Sequence, residues 1–573
     1  MSESQQQSQA ALKRLYLPAL RQRFKAEINR LTGGDMARML GNNPNADELG
    51  FLLSYVYCYH WLRHNVHEAY REEMLAAFRR GKQGFLMEML LHARDHRQFI
   101  RDYIDHWLHS AGASVIQGQQ IMQLLATHNN QPDQLTDSIA ETWDGLGLFR
   151  KTPAIAYKDL AREERNRYGD MLGAADRQRL AMVDALPDLP GKHPGFAKLG
   201  LIPAMGCPQT CRHCMFIWRP LVKGTRDPEQ LFRMLNRLTD SVLFTGGDLT
   251  RHLHHFYHAI GSMRDITTFA ILLNGDFAND RQTTAQTLQA MAQAVRNRPS
   301  HWPRAQVLLQ ISFDEFHQEV MVDKKGKLKE RIPVNKIANI VENVPKYGKQ
   351  IRLCLLHKQH ALNFSMELFS KGVFGRLAEE LGRRGHQLQI LSTAGSSRLK
   401  QNPRNRGSAP GAVLKDASFI LTGHPEHPIL LTSSTIDAYG RAELLDESES
   451  VKDRELLRRL LQTGDTEGEF FDTDLMFWFN GWTTLFSAVH LCLGNVYEDG
   501  LDTVLQRQRK DPLSKALHQF DRRLLGYYGE IRSDLEQLID KSTGPHHLFH
   551  QITEDAGVRL HMTRRLIEDM AGS

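Results

Sequence analysis

The sequence has few cysteines and no long apolar run. Six cysteines among 573 residues exclude a small disulfide-stapled scaffold. No segment approaches the roughly 18–20 consecutive apolar residues that a membrane-spanning helix requires. The first residues, MSESQQQSQAALKRLYLP, lack the basic and apolar regions of a secretory signal. We therefore expect a cytoplasmic protein with no membrane partner.

The chain also has little net charge. Its 72 basic and 66 acidic residues give a formal charge of +6, spread along the sequence, which does not indicate a nucleic-acid partner. Hydrophobic residues make up 41% and charged residues 24%, as in ordinary globular proteins. At about 100–200 residues per domain, the length predicts two to four domains.

Three of the six cysteines form one cluster, GCPQTCRHC, at Cys207, Cys211 and Cys214. In a reducing compartment such a cluster indicates metal ligation rather than disulfides. Three thiolates can hold three irons of a [4Fe-4S] cluster and leave the fourth iron open, whereas a closed zinc site needs a fourth ligand, which His213 could supply. The spacing favours iron–sulfur. The other cysteines are scattered singly, at Cys58, Cys354 and Cys492.

The chain divides into three predicted domains. Residues 1–190 have helical periodicity, in stretches such as Asp47–Arg79 and Gly84–Ser110, and predict an all-α N-terminal domain. The prolines and glycine of Leu186–His193 indicate a boundary. Residues 191–396 predict an α/β domain, and residues 397–573 a mixed α+β extension.

Short apolar runs alternate with helical stretches between Ala197 and Gly395. There are six such runs: KLGLIPAM, SVLFTGGD, TFAILLNG, QVLLQISFD, QIRLCLLH and QLQILSTAG. This alternation predicts parallel βα units, and we interpret it as a partial (β/α)6 TIM-like barrel. The cysteines, TGGD, NG and SFDEFH each follow or end one of the first four runs. Because such barrels carry their chemistry at the carboxyl ends of the strands, these groups are predicted to share one face.

Taken together, these motifs resemble those of the radical S-adenosylmethionine (radical SAM) superfamily. Its hallmark is C-x3-C-x2-C after the first strand, matched by Cys207, Cys211 and Cys214. A GGE-like motif after the second strand is matched by Gly246-Gly247-Asp248. Further features of the superfamily are similar to Asn274-Gly275 and to the S-x-D of Ser312 and Asp314. The resemblance covers roughly residues 197–395.

The chain departs from this pattern before its third cysteine. That position is usually an aromatic residue near the adenine, and here it is His213. Histidine can still stack or hydrogen-bond, and Phe216 or Trp218 could also supply an aromatic face.

The resemblance implies a [4Fe-4S] cluster on the three cysteines, and S-adenosylmethionine as the second cofactor. The cluster would cleave S-adenosylmethionine reductively, with electrons from a donor such as flavodoxin or ferredoxin, and a substrate hydrogen would be abstracted. Gly246 and Gly247 would let the backbone approach the methionine part, and Asp248 would accept from its ammonium group. The ribose hydroxyls would be bound by Asn274, Ser312 and Asp314.

Two C-terminal segments resemble degenerate pieces of the SPASM or twitch extension. They are TIDAYGRAEL and His490–Leu505 (HLCLGNVYEDGLDTVL). Radical SAM enzymes that act on peptides and proteins often carry this extension, so the resemblance implies a peptide or protein substrate. Only Cys492 remains near these motifs, too few for an auxiliary cluster. Two alternatives stay open: a small-molecule substrate, and a non-catalytic zinc or iron–sulfur scaffold.

Several histidine groups have both a chemical and a structural interpretation. His317 in SFDEFHQ is the candidate acid/base residue. A solvated or substrate-facing helix is favoured over a metal site for His252, His254, His255 and His258. GPHHLFH is interpreted as a loop before the final helix. Ordinary helix faces are favoured for His60, His64, Asp102 and His106. The basic run Asp323–Arg331 predicts a hairpin after the fourth strand, which could contact an acidic or peptide substrate.

Replacing any one of Cys207, Cys211 and Cys214 with Ala is expected to abolish the cluster, because a three-ligand site loses a ligand. In anaerobically reconstituted protein, the iron content should fall from about four irons per chain to background. Iron and sulfide analysis measures this change. Cys492→Ala is the matched control and should retain the iron. About eight irons in the unchanged protein would contradict a single cluster.

Overall fold

The structure is a computed structural model that describes two compact units. The first combines residues 1–158, 320–330 and 403–409, and the second residues 159–319, 331–402 and 410–573. The described residues are 97–98, 101, 104–105, 122, 125–146, 171–209, 211, 213–215, 228–314, 316–318, 320–322, 328–358, 372–396, 413–434, 436, 440, 442 and 454–572. The predicted helix Asp47–Arg79, almost all of Gly84–Ser110, and Cys58, His60, His64, Asp102, His106, Phe216 and Trp218 lie outside them.

The described part of the chain alternates strands and helices. The strands are β1 Leu199–Ile202, β2 Ser241–Phe244, β3 Thr268–Leu273, β4 Gln306–Ser312, β5 Val320–Val322, β6 Leu328–Glu330, β7 Ile351–Lys358, β8 Leu388–Ser396, β9 Val413–Leu421, β10 Ile429–Ser434, β11 Leu475–Trp478, β12 Trp482–Leu485 and β13 Cys492–Asn495. The helices are α1 Pro132–Leu146, α2 Ala174–Asp184, α3 Pro228–Leu235, α4 Leu253–Ser262, α5 Arg281–Arg296, α6 Val334–Asn343, α7 Gly372–Arg383, α8 Arg454–Thr463, α9 Leu501–Lys510, α10 Pro512–His518, α11 Arg523–Gly529, α12 Leu535–Lys541, α13 Pro545–Ile552 and α14 Ala556–Gly572. None of the helices within this part of the chain is long and apolar enough to cross a membrane.

In the first unit, the described elements are α1 and the β5–β6 pair. β5 and β6 pair antiparallel, with Val320 opposite Glu330. The predicted hairpin at the basic run after the fourth strand is therefore confirmed.

One eleven-stranded sheet forms the second unit, in the order β13-β12-β11-β1-β2-β3-β4-β7-β10-β9-β8. The seven strands from β11 to β10 in this order all run parallel to one another. Leu201, Phe244, Ile271, Leu309 and Leu353 lie in register on neighbouring strands and are at most 1% exposed, so one face of the sheet is buried in the core. The predicted α/β class is confirmed. Closure of the strands into a partial barrel stays a prediction.

The prediction of a sixth parallel strand at QLQILSTAG was wrong. QLQILSTAG forms β8, which lies at the sheet edge and pairs antiparallel with β9. The parallel neighbour of β7 is β10 instead, with Leu430 opposite Cys354. Burial explains the difference, because Ile390 and Leu391 of β8 are 44% and 49% exposed whereas Ile429 of β10 is 1% exposed. An apolar run alone does not tell a central strand from an edge strand.

The C-terminal part of the chain extends the same sheet beyond β1. β11 pairs with β1 in parallel, and Gly200 faces Met476. A Cβ atom on Gly200 would lie 2.7 Å from Cγ of Met476, so the glycine permits this close pairing. The β12–β13 pair continues the sheet antiparallel. Strands from the predicted second and third domains thus share one sheet, while the domain boundaries themselves stay predictions.

Buried ion pairs join α2 to the C-terminal helices. Arg179 donates to Asp511 at 2.9 Å, and both side chains are 0% exposed. Arg559 of α14 lies 2.6 Å from Asp176. Helix α2 therefore belongs to the second unit, although its residues fall within the predicted N-terminal domain. Any truncation that keeps this unit intact must start before α2 rather than near residue 190.

Arg179→Met is expected to lower the free energy of unfolding by about 3–5 kcal/mol, because it leaves the Asp511 carboxylate buried without its cation. Urea unfolding monitored by circular dichroism measures the change. Arg532→Met is the control, since the Arg532–Asp555 side chains are 49% and 51% exposed and such pairs contribute about 0–1 kcal/mol. Equal losses in the two variants would contradict the stabilising role of the buried pair.

Candidate functional site

The three clustered cysteines lie on the loop that follows β1. The backbone N–H of Cys214 donates to the carbonyl of Cys211 at 3.3 Å, which folds the second half of the motif into a turn. None of the three forms a disulfide. Cys207 is exposed as a residue, but desolvation of its sulfur, reinforced by the neighbouring Cys211 and Cys214, raises the pKa of its thiol to about 12. The three sulfurs are thus close enough to influence one another, and a bound cation would favour their thiolate forms.

The turn after β2 is hydrogen-bonded to the start of the cysteine loop. Gly247 N–H donates to Ala204 O at 2.9 Å, and Asp248 N–H donates to Gly206 O at 2.9 Å. A Cβ atom on Gly247 would lie 2.3 Å from Gly206 O, and Gly246 has a φ of +129°, which favours glycine. The structure therefore brings together the two predicted motifs, and both glycines are needed for the contact.

Asp248 caps the 3-10 helix Leu249–His252. Its Oδ1 accepts from the N–H of Thr250 at 3.1 Å and from the Thr250 hydroxyl at 2.7 Å. Within the described part of the chain, Oδ2 accepts no hydrogen bond. Asp248 also contributes to the raised pKa of Cys207, so its charge acts at the cysteine loop. A carboxylate oxygen is thus available there for a cationic group.

A second polar network ties the cysteine loop to the end of β3. Asn274 Oδ1 accepts from the N–H of Asp276 at 2.8 Å, and Asp276 Oδ2 accepts from Gln209 Nε2 at 3.0 Å. Lys336 Nζ donates to Asp276 Oδ1 at 2.6 Å. Sequence analysis missed Gln209, Asp276 and Lys336. The signal for Gln209 was its position between the first two cysteines, and that for Asp276 its place directly after the Asn-Gly pair.

Asp314 lies at the centre of a buried polar cluster after β4. Its side chain is 1% exposed, and Oδ1 accepts from the backbone N–H of His317 at 3.0 Å and from His317 Nδ1 at 2.9 Å. Oδ2 lies 3.5 Å from His213 Nε2. The His213 ring stacks on Phe316, with centroids 4.7 Å apart. Asp314 was predicted to bind a ribose hydroxyl, but in this structure its carboxylate faces histidines, and its ribose role stays a prediction.

The charges of this cluster support one another. Burial would raise the pKa of Asp314, but His317, His213 and the buried His357 together hold it well below its ordinary value. Burial would lower the pKa of His317, but Asp314 and Cys211 raise it well above its usual range. The His317 ring also lies edge-on to that of His213, with centroids 4.9 Å apart. His317 is 8% exposed, and its predicted place near the mouth of the barrel stays a prediction.

The remaining predicted groups form no comparable arrangement. Among the described residues, only His213, Asp314 and His317 bring three ligand atoms within 4.8 Å of one another. His258 pairs with Glu229 at 2.7 Å, and burial lowers the pKa of His255 to about 4. Ser312 ends β4.

The prediction of a loop at GPHHLFH was wrong. The segment forms α13 and buries two of its histidines. Their burial against the core favours a helix there.

Gly247→Ala is expected to separate the turn from the cysteine loop, because its Cβ would overlap Gly206 O. Iron retained after anaerobic reconstitution should fall severalfold. Gly261→Ala is the matched control, since no atom lies within 4 Å of a Cβ at that helical position. Equal iron in both variants would contradict the need for the close approach.

No family model matches the chain, and no curated protein matches it. Two solved structures are similar at low level. One is native anSMEcpe with bound AdoMet and the Cp18Cys peptide, at 12% identity and a TM-score of 0.32, covering 66% of this chain and 99% of the other. The second is native anSMEcpe with bound AdoMet, at the same identity and TM-score, covering 66% and 100%. A likeness this remote carries no argument about the fold or function of this chain.

Proposed function

We propose that this chain is a radical SAM enzyme, which cleaves S-adenosylmethionine reductively at a [4Fe-4S] cluster and abstracts hydrogen from a substrate. One observation supports this above all others. The C-x3-C-x2-C loop follows the first of a series of parallel strands, and the Gly-Gly-Asp turn after the next strand is hydrogen-bonded to it at 2.9 Å. Two motifs about forty residues apart in sequence thus meet at the carboxyl ends of adjacent strands.

The residues present fit an iron–sulfur cluster. Cys207, Cys211 and Cys214 offer three thiols on one loop, outside disulfides, and three ligands leave one iron open. When bound, the cluster supplies an electron and an open coordination position for the amino and carboxylate groups of S-adenosylmethionine.

The chain's own groups bind and orient S-adenosylmethionine in this proposal. Gly246 and Gly247 present backbone without side chains beside the cysteine loop, so the methionine part can approach closely. Asp248 keeps Oδ1 on its helix cap and offers Oδ2 to the ammonium group. Asn274 and Ser312 remain candidates for the ribose hydroxyls, while Asn274 also holds the backbone of Asp276.

A peptide or protein is the proposed substrate class, with a small molecule as the alternative. The segment that resembles the SPASM extension forms β13 followed by α9. Within it, Cys492 is 1% exposed, its thiol donates to Gly494 O at 3.7 Å, and burial raises its pKa to about 12. These contacts are those of a packed structural thiol, which supports an extension without an auxiliary cluster. A flavodoxin or ferredoxin is the proposed electron donor.

Anaerobic reconstitution of the full chain tests the proposal. Iron and sulfide at about four per chain, and 5′-deoxyadenosine produced with dithionite and S-adenosylmethionine, are expected. Bound zinc without cleavage would reject the enzyme and favour the zinc scaffold.

Asp248→Ala is expected to weaken S-adenosylmethionine binding roughly 10–150-fold with iron retained, because a charge-assisted contact contributes about 1.5–3 kcal/mol. Calorimetric titration of the reconstituted protein measures the affinity.

Asp280→Ala is the matched control for the lost helix cap. Asp280 caps α5 through Thr283 at 2.7 Å, as Asp248 caps its own helix. The Asp280→Ala variant should lose a similar amount of stability and keep the affinity of the unchanged protein for S-adenosylmethionine. Unchanged binding in Asp248→Ala would refute the assignment of the Gly-Gly-Asp motif.

A further inference from the structure

We propose that His213, Asp314 and His317 form a mononuclear zinc site, separate from the cluster that the cysteines are proposed to hold. His213 stands between two of the clustered cysteines in sequence, but no cysteine is a ligand of this site. The site goes beyond the proposed function, because reductive cleavage of S-adenosylmethionine needs no second metal. Its ion ties the cysteine loop, which carries His213, to the loop after β4, which carries the other two ligands.

The three side chains already lie near the spacing that a zinc ion requires. Their ligand atoms are within 4.8 Å of one another. Asp314 Oδ2 lies 3.5 Å from His213 Nε2, and Asp314 Oδ1 lies 2.9 Å from His317 Nδ1. Ligand atoms about 2.0–2.2 Å from a tetrahedral zinc ion are about 3.3–3.6 Å apart. Movements of about 1 Å therefore complete the site.

A buried oxygen at the centre of the cluster points to a bound cation. Asp314 Oδ2 is buried and accepts no hydrogen bond within the part of the chain that the structure describes, and the whole side chain is 1% exposed. A buried carboxylate oxygen without a donor is costly, whereas coordination of a cation satisfies it. His213 Nε2, 3.5 Å away, is then a second ligand of the same ion rather than a donor to this oxygen.

The donor set selects the ion. Zinc binds histidine nitrogen and aspartate oxygen, and two histidines with one carboxylate leave a fourth position for water. The same set also binds Fe²⁺, but Zn²⁺ stands above Fe²⁺ in the general affinity order of such sites. Histidine ligates as the neutral imidazole, so the proton between His317 and Asp314 leaves for solvent as the ion enters.

Packing holds both imidazoles in place before an ion arrives. The side chains of His213 and His317 are 9% and 10% exposed. The His213 ring stacks on Phe316 with centroids 4.7 Å apart, and the His317 ring lies edge-on to it at 4.9 Å. Ligands that are already ordered lose little conformational freedom on binding, which favours a tight site.

Zinc titration of a chain without the competing thiols is the main test. In the full chain with Cys207, Cys211 and Cys214 all replaced by Ala, and with metal removed by a chelator, calorimetric titration with Zn²⁺ should show one ion per chain. Loss of an outer-shell partner lowers metal affinity about 10–100-fold, so loss of a ligand charge in Asp314→Asn should lower it about 100-fold or more. No stoichiometric site, or equal affinity with and without Asp314→Asn, would overturn the proposal.

His254→Gln in the same cysteine-free background is the matched control. His254 is an exposed member of the histidine group after β2, and its ring lies 3.9 Å from that of His255, so the variant removes a competing pair of imidazoles. Its zinc affinity should be unchanged. A loss as large as that in Asp314→Asn would locate the ion at the other histidine group and overturn the proposal.

The chain with its cysteines intact supplies a second measurement, which does not depend on the folding of the triple variant. Reconstituted with iron and sulfide, incubated with Zn²⁺ and freed of loose metal, it should hold about four irons and one zinc. His317→Leu should keep the iron and lose the zinc. Elemental analysis measures both metals. Zinc retained in His317→Leu, or absent from the unchanged chain, would overturn the proposal.

Failure of the proposed function is distinguishable from failure of the zinc site. The first would leave the unchanged protein without iron, sulfide or cleavage activity, while the cysteine-free chain would still bind zinc through His213, Asp314 and His317. The second would leave iron, sulfide and cleavage intact in a protein that binds no zinc at these three side chains.

Discussion

Backbone hydrogen bonds between two loops hold the candidate site together. Gly247 and Asp248 donate to the carbonyls of Ala204 and Gly206 at 2.9 Å, and this requires that the backbones touch with no side chain between them. The pairing of β1 with β2 brings both loops to the same edge of the sheet. The cysteine loop also contacts the end of β3, where Gln209 donates to Asp276 at 3.0 Å.

Asp314 organises the electrostatics on the other side of the cysteine loop. A buried carboxylate is stable only when opposite charge and donors surround it. Here His317 and His213 supply them at 2.9 Å and 3.5 Å. His213 combines stacking on Phe316 with a polar contact to Asp314. One buried carboxylate thus joins histidines from two separate loops.

The C-terminal region does more than follow the central strands. β11 lies beside β1, so the strand that precedes the cysteine loop is central rather than at an edge. The buried pairs of Arg179 with Asp511 and of Arg559 with Asp176 attach α2 to the C-terminal helices. Segments more than three hundred residues apart therefore stabilise the unit that carries the candidate site.

The sequence by itself determined the α/β class, the first five parallel strands, and the loops that carry the cysteines and the Gly-Gly-Asp turn. These follow from local patterns, since alternating apolar runs and glycine-rich turns depend on near neighbours. Only the tertiary structure decided that β10 rather than β8 pairs with β7, because both runs are apolar and burial separates them. It also decided the partners of Asp314, which join residues on separate loops. Side-chain pairing across loops depends on distances that no sequence pattern records, and for that reason the contact between His213 and Asp314 could not be predicted.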